Sequence, residues 1–314
     1  MKEIGGYIEF ETYHGKEYHS DAIALNSGRH CLAYLIESLG IQHIWIPYYL
    51  CSSIKEICTQ CGVNISYYRV KADFTPNFDF FIQDNEYLFV VNYYGQLSNE
   101  YIKKLSVNYP HLIVDNTQAF FQMPVVGVHT LYSCRKFFGV PDGGYLYTDQ
   151  KLKRELPVDI SYRRMNFLLA RFETNASDHY HEYVENNALF RNEPLKKMSK
   201  LTHNLMKGID YDTVKNKREE NFSYLHEHLK EINLLSPTTP IGPYCYPFMI
   251  KEGSIMRRQI IEQKIYIPQL WPEVLSSTAT ESIEYRYTRD ILPLPCDQRY
   301  GIAELEVLLK GFVL

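Results

Sequence analysis

The chain has 314 residues and a formal net charge of −4, with 45% hydrophobic and 22% charged residues. This length allows one large α/β domain or two unequal domains. The ordinary globular composition and the lack of any run of about 18 apolar residues exclude disorder, collagen and membrane spanning. Because Lys and Arg are not concentrated anywhere, we expect no binding to nucleic acid or to anionic lipid.

The N-terminus and the cysteines indicate a reducing compartment. The first residues lack the apolar core and the cleavage site of a signal peptide, which predicts a cytoplasmic protein. The seven cysteines are an odd number scattered along the chain, so we interpret them as reduced thiols. Cys58 and Cys61 form a CxxC pair with no second pair or histidines at zinc-ligand spacing. We therefore expect no metal site.

Between residues 21 and 150, short apolar runs alternate with amphipathic stretches, which is typical of βα units and a mainly parallel sheet. The periodicity predicts helices at 28–40, 52–61 and 99–107, and strands at 43–46, 65–70, 87–91, 111–115, 130–133 and 145–148. A helical region then runs to about residue 233, followed by a loop at 237–243, a strand at 246–250, a helix at 254–263, a Pro-interrupted segment and a C-terminal helix from 302. We predict a large α/β domain over residues 1–210 and a small α+β domain over residues 211–314.

Polar side chains follow several of the predicted strands. Asn92, Asp115 and Ser133 each stand where an apolar strand ends. Ligands of open α/β sheets bind outside the carboxyl ends of the strands. We therefore expect these three side chains to point into one crevice.

Lys136 and Asp115 are the residues with the clearest chemical potential. Lys136 follows a strand among aromatic neighbours, and apolar surroundings favour the neutral amine that Schiff-base chemistry requires. Alone, it is more simply interpreted as a surface lysine or one half of an ion pair. Asp115 closes a buried strand, where a carboxylate needs a partner such as a protonated pyridine nitrogen. The alternative for Asp115 is a helix N-cap.

The segment Ser27-Gly28-Arg29 opens a predicted helix, and helix N-termini bind anions through free amides and the helix dipole. Alone, this is an ordinary capped helix start. An anion cradle, then Asp115, then Lys136 located 21 residues further on and followed by Gly143-Gly144, is the set of groups that pyridoxal 5'-phosphate (PLP) requires.

The chain resembles the DegT/StrS sugar aminotransferases, a family of fold-type I PLP-dependent enzymes, over most of its length. The resemblance is carried by residues 27–29, 46–49, 115–119, 136–144 and 291–300. It implies the fold-type I architecture, with a mainly parallel sheet in a large domain and a smaller α+β C-terminal domain.

The resemblance also implies roles for individual residues. Lys136 would hold PLP as a Schiff base and move the proton between substrate and cofactor, and Asp115 would keep the ring nitrogen protonated. The other implied contacts are Gln118 at the ring hydroxyl and Ser27, Gly28, Arg29 and Ser133 at the phosphate. The implied reaction passes an amino group from an amino acid such as glutamate to a nucleotide-linked keto-sugar. Family members are homodimers with the site at the subunit interface, so we predict a homodimer.

The sequence departs from the family pattern in places. Cys51 stands where an aromatic residue commonly stacks on the pyridine ring, so we expect stacking from Tyr49, Tyr93 or Tyr94. Ser133 lies three residues before Lys136, a shorter spacing than in many relatives.

Other functions are open at this point. A catalytically silent binding or scaffold protein would keep the fold without turnover. The family's dehydratase branch typically carries histidine in place of the lysine, and Lys136 disfavours it. An NAD-dependent enzyme would need a G-x-G-x-x-G turn, which the first βα turn lacks.

Overall fold

The computed structural model describes residues 4–312, and a seven-stranded sheet lies at its centre. Its strands are β1 (Ile23–Leu25), β2 (His43–Pro47), β3 (Asn64–Tyr68), β4 (Tyr87–Val91), β5 (Leu112–Asp115), β6 (His129–Ser133) and β7 (Gly144–Tyr147). Their spatial order is β3-β2-β4-β5-β6-β7-β1, and β7 alone runs against its neighbours among these strands. The predicted mainly parallel α/β sheet is confirmed.

The central strands are buried along their whole length. Every residue of β4 and β5 is buried, as expected for continuous apolar runs covered on both faces. Helices α1 (Gly28–Leu39), α2 (Ser52–Gln60) and α3 (Asn99–Asn108) connect the strands. Helix α1 packs on β6, β7 and α2, and it ends at Gly40, whose φ of 66° is the left-handed conformation that glycine favours at a helix end. The first helix of the sequence therefore lies beside the strand that precedes Lys136.

Four helices follow the sheet: α4 (Asn166–Glu173), α5 (Tyr180–Leu189), α6 (Lys200–Lys207) and α7 (Tyr211–Leu229). Asp142, expected only as part of a turn, anchors α6 to the sheet. Its carboxylate accepts hydrogen bonds from the backbone N–H of Ser199 at 2.8 Å and from the Ser199 hydroxyl at 2.7 Å. The Ser199 hydroxyl in turn accepts from the amide of Thr202 and caps the helix.

The C-terminal part contains α8 (Gly253–Glu262), α9 (Val274–Ser277), α10 (Ile283–Asp290) and α11 (Ile302–Gly311), with the antiparallel pair β8 (Tyr246–Met249) and β9 (Ile291–Leu294). Phe222, Phe248, Leu292 and Leu305 belong to its own apolar core. Tyr287 of α10 packs instead in the core of the large sheet. The division after residue 210 stays a prediction, although α7 begins at Tyr211.

Three elements of the C-terminal part escaped sequence analysis, namely α9, α10 and β9. Strand β9 contains Pro293, which is tolerated because the pair has only edge strands. Helix α10 buries mainly polar residues, including Glu284 and Asp290, so its apolar periodicity is weak.

The cysteines are free thiols. Within residues 4–312, no group of three or more His, Cys, Asp or Glu side chains is arranged to hold a metal ion. In the same part of the chain, no helix combines the length and apolar character needed to cross a bilayer.

Candidate active site

Three segments that are distant in sequence meet at the carboxyl edge of the sheet. They are the first turn of α1, the loop after β5 and the end of β6. A Cβ atom built on Gly28 would lie 3.3 Å from Cγ2 of Thr117 and 3.6 Å from Cβ of Ser133. The absence of a side chain at Gly28 therefore leaves backbone N–H groups of the helix start facing this edge.

The glycine pair at residues 143 and 144 makes this meeting possible. Gly143 has a φ of 117° and donates its N–H to the carbonyl of Asn26 at 2.8 Å. Gly144 pairs with Leu25 on one side and Ser133 on the other. A Cβ atom on Gly144 would lie 2.6 Å from the carbonyl carbon of Ser27. Both glycines are thus required for β7 to begin directly against the start of α1.

Lys136 lies in the short 3-10 turn Cys134–Lys136 that follows β6, and it is partly exposed. Its Nζ donates to Oγ1 of Thr117 at 3.4 Å and stands 5.7 Å from the ring centroid of Tyr244. The amide of Thr117 donates to Oδ1 of Asp115 at 2.9 Å. Thr117 therefore joins the predicted acid to the predicted nucleophile.

Sequence reasoning missed both Thr117 and Tyr244. Thr117 lies inside the segment 115–119 that carries the family resemblance, so its position was a signal. Tyr244 comes from the C-terminal part and had no signal, because only the packing of that part against the sheet brings it to Lys136.

Asp115 is 5% exposed, and burial raises the pKa of its carboxyl group. The positive charge of Lys136 and the hydrogen bond from Thr117 act in the opposite direction. Turns rather than a helix follow Asp115, so the helix N-cap alternative is wrong. Because the effect of burial exceeds the effects of Lys136 and Thr117, a further cationic partner in the site would stabilise the charged carboxylate.

Gln118 is 1% exposed, and only one of the two polar atoms of its side-chain amide has a hydrogen-bond partner among the described residues. Its Oε1 accepts from the amide of Tyr94 at 2.8 Å, but its buried Nε2 has no hydrogen-bond partner among the residues that the structure describes. A buried donor without an acceptor costs about 1–3 kcal/mol, so this side chain is prepared for a ligand oxygen.

Two of the remaining predicted contact residues, Ser27 and Arg29, have their side chains engaged with protein partners. The Ser27 hydroxyl is engaged with Nδ1 of His30 at 2.8 Å. The Arg29 guanidinium lies 3.4 Å from the Glu56 carboxylate. Ser133 is partly exposed beside Gly28. A role of the Gly28 and Arg29 amides and of the Ser133 hydroxyl in binding a phosphate stays a prediction.

Asn92 does not join the site, and its predicted orientation into the crevice was wrong. It is fully buried, and its amide donates to Gln122 at 2.9 Å and to Asn116 at 3.1 Å. Its Oδ1 accepts from the amide of Leu97. Asn92 thus holds the loop between β4 and α3. Tyr49, Tyr93 and Tyr94 are also buried, and the hydroxyl groups of Tyr49 and Tyr94 lie 3.0 Å apart. Ring stacking by any of the three stays a prediction.

Comparison with solved structures identifies the fold. A DegT DnrJ EryC1 StrS aminotransferase from Brucella abortus superposes over 92% of this chain and 84% of that chain, with a TM-score of 0.61 and 13% identity. The PMP-form of Spr1654, a putative sugar aminotransferase from Streptococcus pneumoniae, covers 93% and 86%, with a TM-score of 0.63 and 13% identity. DesI, solved in the presence of its TDP-sugar product, covers 92% and 79%, with a TM-score of 0.63 and 12% identity.

In sequence, no family model and no curated protein matches the chain. The structural likeness confirms the predicted fold-type I architecture and, at the level of the fold, the resemblance to the DegT/StrS enzymes.

Gly144→Ala tests the close approach of β7 to α1. We expect a loss of about 1–3 kcal/mol in the free energy of unfolding, because the new Cβ meets backbone atoms that cannot yield easily. Urea unfolding measures this change. The control is Gly139→Ala in the loop that precedes β7, where the nearest atom is Cδ2 of Leu168 at 3.8 Å. Equal stability of the two variants would contradict the argument.

Asp115→Asn tests the cost of burying the carboxylate. Folding raises the pKa of Asp115, so the folded protein favours the protonated carboxyl group. The stability that this group contributes is therefore fully present below the usual aspartate pKa of 3.8. It is lost as the pH rises through the pKa of Asp115 in the folded protein. The cofactor-free variant should therefore have a higher Tm than the parent at pH 7–8, with the difference shrinking toward pH 3.8. Thermal unfolding across this range, with the exposed Asp84→Asn as control, checks the prediction. A pH-independent difference would mean that burial of the charge is not its cause.

Proposed function

We propose that this chain is a PLP-dependent sugar aminotransferase. The observation that carries the proposal is the juxtaposition of the Lys136 amine, Thr117 and the buried Asp115 carboxylate beside the helix start at Gly28. A silent protein has no chemical reason to hold a lysine amine next to a buried acid, because the arrangement costs stability.

The residues present fit PLP at each of its polar groups. The Asp115 carboxylate suits a protonated ring nitrogen, and the unpartnered Nε2 of Gln118 suits the ring hydroxyl. Lys136 supplies the amine for the aldehyde carbon. The phosphate suits the cradle of the Gly28 and Arg29 amides with the Ser133 hydroxyl, where Gly28 leaves the space that a side chain would fill.

When bound, PLP supplies an electron sink for the bonds around the transferred amino group. Lys136 would hold the cofactor and would accept and return a proton at Nζ. Thr117 holds that nitrogen within 3.4 Å of its hydroxyl, which limits the positions from which the proton moves. Asp115 would keep the ring nitrogen protonated, since a neighbouring cation favours the charged form of its carboxyl group.

For substrates we propose an amino acid donor such as glutamate and a nucleotide-linked keto-sugar as acceptor. The support comes from the fold shared with enzymes described as sugar aminotransferases and from DesI, which was solved with a TDP-sugar product. Transfer of an amino group between these two classes needs one lysine amine and one acid at the ring nitrogen, the roles that we propose for Lys136 and Asp115.

We also propose that the protein acts as a homodimer. Helices α4 and α5 expose Leu169 (56%), Phe172 (92%), Tyr180 (61%) and Val184 (44%). Helix α5 contacts the turn Cys134–Lys136, called the lysine turn below, because Asn187 of α5 accepts a hydrogen bond from Arg135. An exposed apolar surface of this kind, adjoining the site, is suited to a second copy of the chain.

Lys136→Ala tests the chemistry. With added PLP, the parent protein should show a visible absorbance band, and borohydride reduction should fix one PLP on the peptide containing Lys136. The variant should lose both, because no other amine stands at this position, whereas the exposed Lys103→Ala should keep them. In the same absorbance scan, Asp115→Asn should keep some PLP. A separate turnover assay should show that this variant loses about 100-fold or more in transamination kcat. No band and no label in the parent would favour the silent binding protein.

Phe172→Asp tests the dimer. A charge placed on this 92% exposed side chain leaves the fold of one subunit intact, but it is costly inside an apolar interface. Sedimentation velocity should show a dimer for the parent and a monomer for the variant, with Val126→Asp on another surface as the matched control. A parent that sediments as a monomer would overturn this part of the proposal.

A further inference from the structure

Two side chains from the C-terminal part converge on the backbone immediately after Lys136. Nη2 of Arg218 donates to the carbonyl of Phe137 at 3.1 Å, and Nε2 of Gln298 donates to the same carbonyl at 2.9 Å. The Arg218 guanidinium also lies 4.5 Å from the centroid of the Phe137 ring. The residue that follows the lysine is therefore held by α7 and by the segment after β9.

Arg218 also holds the segment that faces the lysine from the other side. It is 1% exposed, and its Nη1 donates to the carbonyl of Pro243 at 2.8 Å and to that of Tyr244 at 3.4 Å. Hydrogen bonds from a buried guanidinium to carbonyl groups are worth more than neutral ones. One arginine thus fixes the distance between the chain at Phe137 and the chain at Tyr244.

The lysine amine lies in the space between these fixed segments. Its Nζ stands 5.7 Å from the centroid of the Tyr244 ring and 3.4 Å from the hydroxyl of Thr117. A cation over the face of a tyrosine ring is attracted by about 0.5–2 kcal/mol, which requires the ring to stay in place. The position of Tyr244 depends on the backbone that Arg218 binds.

We infer that Arg218, assisted by Gln298, is a positioning residue for Lys136. It holds the amine between Thr117 and Tyr244 by fixing the backbone on both sides. The inference deepens the proposed function, on which its catalytic meaning rests, but the positioning itself concerns this chain alone. It also makes the C-terminal part a component of the active site.

The test compares variants of buried arginines. Arg218→Lys keeps the charge but cannot span both carbonyl groups. Gln298→Leu removes one hydrogen bond to Phe137 and is the milder variant if Arg218→Lys folds poorly. Arg257→Lys is the matched control, because Arg257 is 6% exposed, lies in the same part and donates to the carbonyl of Ile291 at 2.7 Å, away from the lysine turn.

The first readout needs no cofactor. Cofactor-free protein is treated with trace acetic anhydride, and mass spectrometry gives the labelling rate of Lys136 relative to the exposed Lys103. An amine held against Thr117 and Tyr244 is less accessible than a released one. We expect Arg218→Lys and Gln298→Leu to raise the relative rate about three- to tenfold, equivalent to one lost hydrogen bond. Arg257→Lys should leave it unchanged, even where its Tm falls equally.

The second readout uses the holoenzyme. Arg218→Lys should lower kcat while leaving the KM for the amino acid near the parent value, because it displaces the lysine rather than the substrate. Unchanged labelling in both folded variants, or an equal increase in Arg257→Lys, would overturn the inference. The labelling outcomes do not depend on PLP binding by the parent, so a failure of the proposed function would be recognised separately.

Discussion

The close approach of β7 to the start of α1 is the constraint on which the rest of the site depends. Gly144 lies between Leu25 and Ser133 in the sheet, and any side chain there would meet the backbone of Ser27. Because this contact is between backbones, it fixes the helix start relative to the end of β6 without relying on flexible side chains. The start of α1 and the turn Cys134–Lys136 are thereby parts of one rigid unit.

Around that unit the protein keeps polar groups in costly arrangements. Burial raises the pKa of Asp115, and the Nε2 of Gln118 is buried without a partner among the described residues. Neither arrangement helps the fold, and both become favourable when a ligand supplies a cation and an oxygen at the right places. Such a pattern is typical of a preorganised site, in which stability is given up for function.

The C-terminal part completes the site. Its own apolar core is built on α7, α11 and the pair β8–β9. Arg218 of α7 donates a hydrogen bond to the carbonyl group of Phe137, directly after Lys136. The buried guanidinium makes the packing of the two parts specific, because displacing it would leave a desolvated charge and unpaired carbonyl groups. The geometry at Lys136 therefore depends on how the C-terminal part is seated.

The sequence by itself determined the mainly parallel α/β sheet, the helix start at Gly28 and the position of Asp115 at the end of a buried strand. These features follow from local patterns: continuous apolar strands, turn glycines and the spacing of polar residues at strand ends. Tertiary structure alone decided that the Asn92 amide donates hydrogen bonds to Asn116 and Gln122. It also decided that the Arg29 side chain pairs with Glu56. Only the folded chain brings Tyr244 beside Lys136 and Arg218 to the carbonyl group of Phe137. The physical reason is that a polar side chain takes whichever partner the folded chain brings within about 3 Å, and the sequence does not encode that distance locally.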